Sequence, residues 1–167
     1  MGGELESGGV SATPPGPCAI AIMASAHLPA VAGLCADLGY AGAAGGLTAR
    51  FKALAADPDH GLFVAVVDGA AVGFIHVHVR PMLHDHASAQ VQAMAVAAPH
   101  RRRGIGAMLL GRAEAWARDR GLAAMMLYSA DGRDDAHGFY AALGYRPAIG
   151  LSRFDKALAE TTKQRQA

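Results

Sequence analysis

The sequence predicts one α/β domain, and its length, its composition and its alternating periodicities support that prediction. The chain has 167 residues, of which 52% are hydrophobic and 17% are charged. This is enough for one well-packed core and too little for two domains of the usual size. Stretches with the two-residue period of a strand alternate along the chain with stretches of helical spacing.

The first half of the chain predicts three strands and two helices. Asp57-Pro58-Asp59 breaks the second helix, and Gly69 marks a hairpin between the second and third strands. The Gly-rich connector at residues 41–46 fits a substrate-admitting loop and a solvated linker equally well. The predicted strands are residues 18–23, 62–68 and 71–79, and the predicted helices are residues 28–38 and 47–56.

The second half is organised around residues 91–110. Residues 91–98 are apolar at nearly all of both sets of alternating positions, which predicts a strand that is buried on both faces and ends at Pro99. Helical spacing begins at Ile105 and ends before Gly121. Further elements are a buried strand at residues 122–129, a closing helix and turn at 136–145, and short strands at 145–148 and 151–155.

The loop between residue 98 and this helix has the features of an anion site. A helix start exposes unpaired N–H groups and the positive end of the helix dipole. Gly104 and Gly106 lack the Cβ atom that would keep a phosphate away, and Arg101, Arg102 and Arg103 add positive charge. The alternative interpretation is an ordinary helix start with solvated arginines.

Two other glycine-loop motifs fit this segment less well. The dinucleotide fingerprint needs a third Gly at Leu109, and the phosphate loop of nucleotide hydrolases needs Lys-Ser/Thr at Ala107-Met108. The strand–RxxGxG–helix pattern resembles the GNAT superfamily of N-acetyltransferases. Residues 136–145, AHGFYAALGY, look like the family's closing AxxFYxxLGF motif. The resemblance covers residues 19–158 and is strongest from 91 to 145.

The resemblance implies the GNAT fold, with a central mixed, mostly antiparallel sheet that is splayed at the cofactor strand and flanked by helices on both faces. It also implies acetyl-CoA as co-substrate. In the family the glycine loop holds the pyrophosphate, and a backbone N–H of the cofactor strand binds the oxyanion. The residues that match these two parts are Arg101, Arg102, Arg103, Gly104, Ile105, Gly106 and Ala107 for the loop and Met94, Ala95 and Val96 for the strand.

Three further cofactor contacts follow from the same resemblance. Tyr140 matches the general acid that protonates the departing thiolate, at the start of the last helix and facing the opening between the strands. Taken alone, a Tyr beside a Phe on an apolar helix is more often a core residue whose hydroxyl has a hydrogen-bond partner. Ser129 and Arg133 are expected at the pantetheine arm, and Arg133 stands where many relatives have Asn.

The general base is not evident, because Gln92 stands where relatives often have a carboxylate. Substitutes cluster in residues 76–86, where His76 and His78 share one strand face and His84, Asp85 and His86 follow in a loop. Packing or solvated histidines are the competing interpretation. No metal is expected, since these residues lack a recognised metal spacing.

Charge and composition limit the partners. A net charge of +1 argues against a nucleic-acid or membrane-surface binder. Cys18 and Cys35 are predicted to be free thiols in a reduced, cytoplasmic setting. Residues 1–17 are predicted to be a disordered leader, neither signal peptide nor membrane span, with the domain at residues 18–158 and a polar tail at 159–167.

The predicted function is direct transfer of the acetyl group of acetyl-CoA to an amine of a small molecule or a protein. The alternative is an acyl-CoA-binding regulatory or interaction domain of the same fold without catalysis. Aminoglycosides, polyamines, amino acids and protein amines all remain open as acceptors. Family members are often dimers, so the resemblance also allows a homodimer.

Overall fold

The computed structural model describes residues 16–130 and 132–148, in two compact units that divide between Tyr128 and Ser129. The first unit holds a five-stranded sheet and three helices, and the second holds a fourth helix. Each is described by itself below. Most of the predicted leader, the predicted strand at residues 151–155 and the predicted tail lie outside the described residues.

The sheet is mixed and mostly antiparallel, as predicted. Its strand order is β1-β2-β3-β4-β5, with antiparallel pairing from β1 to β4 and parallel pairing between β4 and β5. β1 and β5 are therefore the edges. The strands are β1 (Ala19–Ile22), β2 (His60–Val67), β3 (Ala70–Arg80), β4 (Ser88–Val96) and β5 (Met125–Leu127).

The helices follow the predicted periodicities closely. α2 has the predicted bounds, Leu47–Ala56, and the connector before it contains a 3-10 turn at Ala41–Ala44. α1 is Leu28–Asp37, α3 is Ile105–Arg118, and α4 of the second unit is Asp134–Ala142. Among the described residues, none of these helices combines the length and the apolarity that crossing a membrane requires.

Both faces of the sheet are covered within the first unit. α1 and Phe51 of α2 pack on the face that carries Val64, Phe74 and Ala95. α3 packs on the opposite face, where Gly73 allows a close approach. A Cβ at Gly73 would lie 2.9 Å from the Ala95 carbonyl oxygen and 3.2 Å from the Leu109 side chain. The glycine thus sets the spacing between β3, β4 and α3.

Several predicted strands have different bounds or burial. β4 begins at Ser88 and is not buried throughout, because Gln92 is exposed. The last strand is only Met125–Leu127 and half-buried, since it is an edge strand with a neighbour on one side. The predicted strand at residues 145–148 was wrong: these described residues have no strand partner.

Candidate functional site

One edge of β4 is left open over half of its length. β4 pairs with β3 from Ser88 to Val96, but among the described residues β5 pairs only with Ala89, Gln90 and Val91. Beyond Val91, the backbone of β4 therefore has no neighbouring strand on its β5 side in the described part of the chain. This is the splayed cofactor strand that the family resemblance implies.

A β-bulge in the pairing of β3 with β4 lies at the point where β4 separates from β5. His76 lies opposite Ala93 and Val77 lies opposite Val91, so Gln92 is the extra residue of β4. The bulge reverses which backbone groups face β3. Ala97 N–H donates to the Val72 carbonyl oxygen at 2.8 Å.

Alternation along the strand then determines what faces the open edge. Because Ala97 faces β3, the N–H and C=O groups of Met94 and Val96 point away from β3. The Val96 carbonyl oxygen accepts a hydrogen bond from Arg101 Nε at 2.9 Å, which agrees with that direction. The structure thus exposes backbone polar groups at two of the three predicted positions, and Ala95 faces β3.

The glycine loop leads from this edge into the start of α3. Gly104 has a φ of 79° and Arg102 a φ of 60°, so the chain turns through left-handed conformations just before Ile105. Within the described part of the chain, no side chain caps the helix start. The N–H groups of Ile105, Gly106 and Ala107 have no acceptor inside the helix, so they form an anion cradle with the helix dipole.

The three arginines of the loop have different environments, although all are exposed. Arg101 is held by the Val96 carbonyl, as described above. Arg103 Nη1 lies 3.2 Å from His100 Nδ1. The triplet therefore supplies positive charge around the cradle, and Arg101 also links the loop to the open edge of β4.

The second unit carries the other predicted cofactor contacts. Ser129 Oγ is buried and has no hydrogen-bond partner among the described residues. Arg133 is the exposed N-cap residue of α4. An unpaired hydroxyl and an exposed guanidinium fit a role in binding a polar ligand.

Tyr140 lies in the last turn of α4, so the prediction that it lies at the helix start was wrong. The helix begins earlier than predicted because Asp134 and Asp135 occupy its first turn, where the helix dipole favours carboxylates. Burial raises the pKa of Tyr140, and the positive charge of Arg133 partly opposes that rise. The phenol is therefore protonated at neutral pH.

The candidate bases fall into two groups. His84, Asp85 and His86 are exposed in the loop before β4. At about 3.4 Å per residue, the start of β4 lies about 20 Å along the strand from Met94. His76 is instead paired with Ala93, beside the bulge.

The sequence did not predict His60, which lies against His76. His60 Nδ1 is 2.8 Å from His76 Nε2, and the two rings lie 5.1 Å apart. The predicted strand began after His60, at Leu62. Extending the alternation of β2 by one step, to His60, was the signal that could have revealed the pair. No group of three or more His, Cys, Asp or Glu side chains among the described residues is arranged to hold a metal ion.

A cavity of about 450 Å³ lies between α1 and α2. Its lining includes Cys35, Tyr40, Gly42, Leu47 and Arg50. Arg50 Nη1 donates to the Gly45 carbonyl oxygen at 2.7 Å, which places the guanidinium beside the connector. Burial raises the pKa of the Cys35 thiol, and the charge of Arg50 partly opposes this, so Cys35 is a poor nucleophile.

Comparison with known proteins identifies the family. The model of the Acetyltransferase (GNAT) family matches residues 36–145, which include the open strand edge, the glycine loop and α4. This chain belongs to the GNAT family. It is an N-acetyltransferase that uses acetyl-CoA as co-substrate, and the matches give no support to the non-catalytic alternative.

Two kinds of relative are similar to this GNAT chain. The aminoalkylphosphonate N-acetyltransferase of Salmonella typhimurium is 37% identical over 110 residues, which cover 65% of this chain and 70% of that protein. AAC(6')-Iy, solved with a CoA-linked bisubstrate analogue, has a TM-score of 0.76 at 19% identity and covers 84% of this chain and 99% of that one. AAC(6')-IG from Acinetobacter haemolyticus, an aminoglycoside 6'-N-acetyltransferase, has a TM-score of 0.72 at 19% identity, with the same coverage.

Proposed function

We propose that this enzyme acetylates the primary amine of a small molecule at the open edge of β4. The observation that carries the proposal is that the open edge of β4 and the start of α3 are adjacent along the chain. β4 loses its β5 neighbour after Val91, and the loop at residues 97–104 then connects the strand to a helix start with unpaired N–H groups. An extended arm with a pyrophosphate at one end fits such an edge and cradle.

The cofactor would be held mainly by backbone groups. The N–H groups of Ile105, Gly106 and Ala107 point at the pyrophosphate, with Gly104 allowing close approach. Arg101, Arg102 and Arg103 contribute screened electrostatic attraction. Met94 and Val96 hydrogen-bond the pantetheine amides along the strand edge. The family resemblance alone assigns Ser129 and Arg133 to the pantetheine arm, and this assignment stays a prediction.

The reaction then needs three groups. The amine nitrogen attacks the thioester carbonyl carbon, and the oxyanion that forms accepts a hydrogen bond from the backbone N–H of Met94 or Val96, the two predicted residues that face the open edge. The C–S bond breaks, and Tyr140 donates its phenolic proton to the leaving sulfur. The assignment of Tyr140 rests on the family motif and on its protonated state at neutral pH. Gln92 cannot serve as the base.

We favour an acceptor that carries an anionic group such as a phosphonate. The Salmonella relative is named for aminoalkylphosphonates. Arg50 places a guanidinium in the lining of the cavity between α1 and α2. A guanidinium can bind the oxygens of a phosphonate through two parallel hydrogen bonds.

An acceptor panel tests this proposal by free-thiol release from acetyl-CoA. We expect 2-aminoethylphosphonate to be acetylated with a higher kcat/KM than ethanolamine, which lacks the phosphonate, and than an aminoglycoside. Arg50→Gln should lower kcat/KM for the phosphonate by about tenfold, the loss of one charged hydrogen bond, and leave that for ethanolamine unchanged. A preference for the aminoglycoside would overturn the acceptor class and leave acetyl transfer standing.

The proposal also includes the cellular location and the oligomeric state. Cys18 and Cys35 are both free thiols, which suits the cytoplasm. A homodimer is proposed from the family resemblance alone. Light scattering of the purified enzyme tests it, and a mass near the chain's 17.1 kDa would exclude it.

A further inference from the structure

Three histidines from neighbouring strands form a cluster on one face of the sheet. His60 of β2 lies opposite His78 of β3, and His76 lies two residues before His78. The His60 and His78 rings are stacked with centroids 5.5 Å apart. Since His78 Nδ1 lies 2.9 Å from the Val79 carbonyl oxygen, His78 is held by its own strand.

The other two histidines form a line that ends at a carboxylate. His76 Nε2 lies 2.8 Å from His60 Nδ1, and His60 Nε2 lies 3.9 Å from Asp57 Oδ2. Solvent access rises along this line. The His60 side chain is 21% exposed and lines a cavity of about 230 Å³, and the Asp57 side chain is 50% exposed.

The inner end of the line lies beside the open segment of β4. His76 is opposite Leu62 on one side and Ala93 on the other. Both neighbours pack against the core cluster formed with α1 and α2, so the His76 side chain projects from that face. Ala93 immediately precedes Met94, the first residue whose backbone points to the open edge.

We propose that His76 accepts the proton of the acceptor amine, and that His76, His60 and Asp57 form a relay that carries the proton to solvent. This inference rests on the acetyl transfer proposed above. The N–H bond of the attacking amine breaks, its electron pair stays on nitrogen, and the proton passes to His76 Nδ1. The Nε2 proton of His76 then passes to His60 Nδ1. The Nε2 proton of His60 passes to water or, through a water molecule, to Asp57, whose Oδ2 lies 3.9 Å away.

The protonation state of His76 suits this role. Burial, and to a smaller extent the charges of His60 and His78, lower its pKa to about 4. His60 on β2 and His78 on β3 are the titratable groups that affect the pKa of His76. On β4, the residue opposite His76 is Ala93, which does not titrate. At neutral pH the imidazole is therefore unprotonated, ready to accept a proton and unable to retain it.

Kinetics at several pH values test the relay, with 2-aminoethylphosphonate and ethanolamine as acceptors. His76→Gln should lower kcat by roughly 10²-fold, a typical loss for a general base, without changing the Kd of CoA. Asp57→Asn and His60→Ala should lower kcat less, because water can take over the proton transfers that follow His76. His137→Gln, on exposed α4, is the matched control and should keep the wild-type kcat.

Chemical rescue separates proton transfer from a structural role. Imidazole added to His60→Ala should restore kcat in proportion to its concentration, and it should not affect the wild type. Both measurements use the same folded variant, so a change in stability does not obscure the result.

The outcomes that contradict the relay distinguish its failure alone from a failure of the proposed acetyl transfer. If His76→Gln turned over acceptor at the wild-type rate, or imidazole gave no rescue, the relay would be wrong while acetyl transfer stood. If the wild type released no thiol with any amine of the panel, the proposed function would fail and the relay with it.

Discussion

Arg101 Nε donates a hydrogen bond to the Val96 carbonyl oxygen across 2.9 Å, joining the anion loop to the open edge of β4. Arg101 is thus both a positive charge and a tether. We expect Arg101→Lys to raise the Kd of CoA by about tenfold, since Lys keeps the charge and loses the directed Nε–H.

The matched comparison is Arg102→Lys, in the same loop, because Arg102 forms no hydrogen bond to β4 within residues 16–130 and 132–148. Its effect on the calorimetric Kd of CoA should be about twofold or less at 0.15 M salt. Equal effects for the two substitutions would mean that Arg101 contributes charge alone.

Gly104 allows the left-handed turn that precedes α3, with a φ of 79°. A Cβ there meets nothing within 4 Å, so Gly104→Ala is strained only by its backbone conformation. We expect it to lower the free energy of unfolding by about 1 kcal/mol, because alanine disfavours this φ, and to weaken CoA binding, because the left-handed turn positions the N–H groups of the cradle.

Gly111→Ala is the control for this change. Gly111 lies in α3, also has open space at its Cβ position, and has no positive φ. Alanine should stabilise the helix there by up to about 1 kcal/mol and leave the Kd of CoA unchanged. Thermal unfolding with and without CoA measures both effects, and an unaltered ligand-induced shift in Gly104→Ala would remove the loop from the site.

His76 should make stability depend on pH. Its pKa is lowered from 6.5 to about 4 in the folded protein, so the unfolded chain binds more protons between these values. The free energy of unfolding should therefore fall as pH drops from 6.5 to 4, by at most roughly 3 kcal/mol. His76→Gln should flatten this part of the urea-unfolding profile, whereas His137→Gln should not. An unchanged slope in His76→Gln would assign the pH dependence to other groups.

The sequence predicted the elements that depend on local periodicity and turn chemistry. α2 has the bounds that its spacing and Asp57-Pro58-Asp59 indicate, and the glycine loop lies before α3 as expected. These features are encoded within a few neighbouring residues.

Features that depend on strand register could not be predicted. The bulge at Gln92 and the contact between His60 and His76 arise from pairing between residues distant in sequence. The position of Tyr140 in α4 was also missed, because the predicted helix began at Ala136 and did not include Asp134 and Asp135 as its first turn. The site itself is therefore only partly encoded in motifs.

Tyr140→Phe tests the proposed general acid, since it keeps the ring and removes the phenolic proton. The acetyl-transfer rate should fall by roughly 10²-fold, the low end for a general acid, because a thiolate with a pKa of about 8.5 departs partly unaided. The Kd of CoA should not change. Tyr128→Phe, at an exposed tyrosine, is the control, and a wild-type rate in Tyr140→Phe would make Tyr140 a packing residue.

Direct transfer without an acetyl-enzyme intermediate is the central claim, and rapid-quench measurement of thiol release tests it most directly. Enzyme mixed with acetyl-CoA alone should release no burst of thiol. Adding the acceptor amine should release thiol and form acetylated amine in equal amounts. A burst of thiol equal to the enzyme concentration before any amine is added would contradict the account, because it would require a covalent acetyl-enzyme.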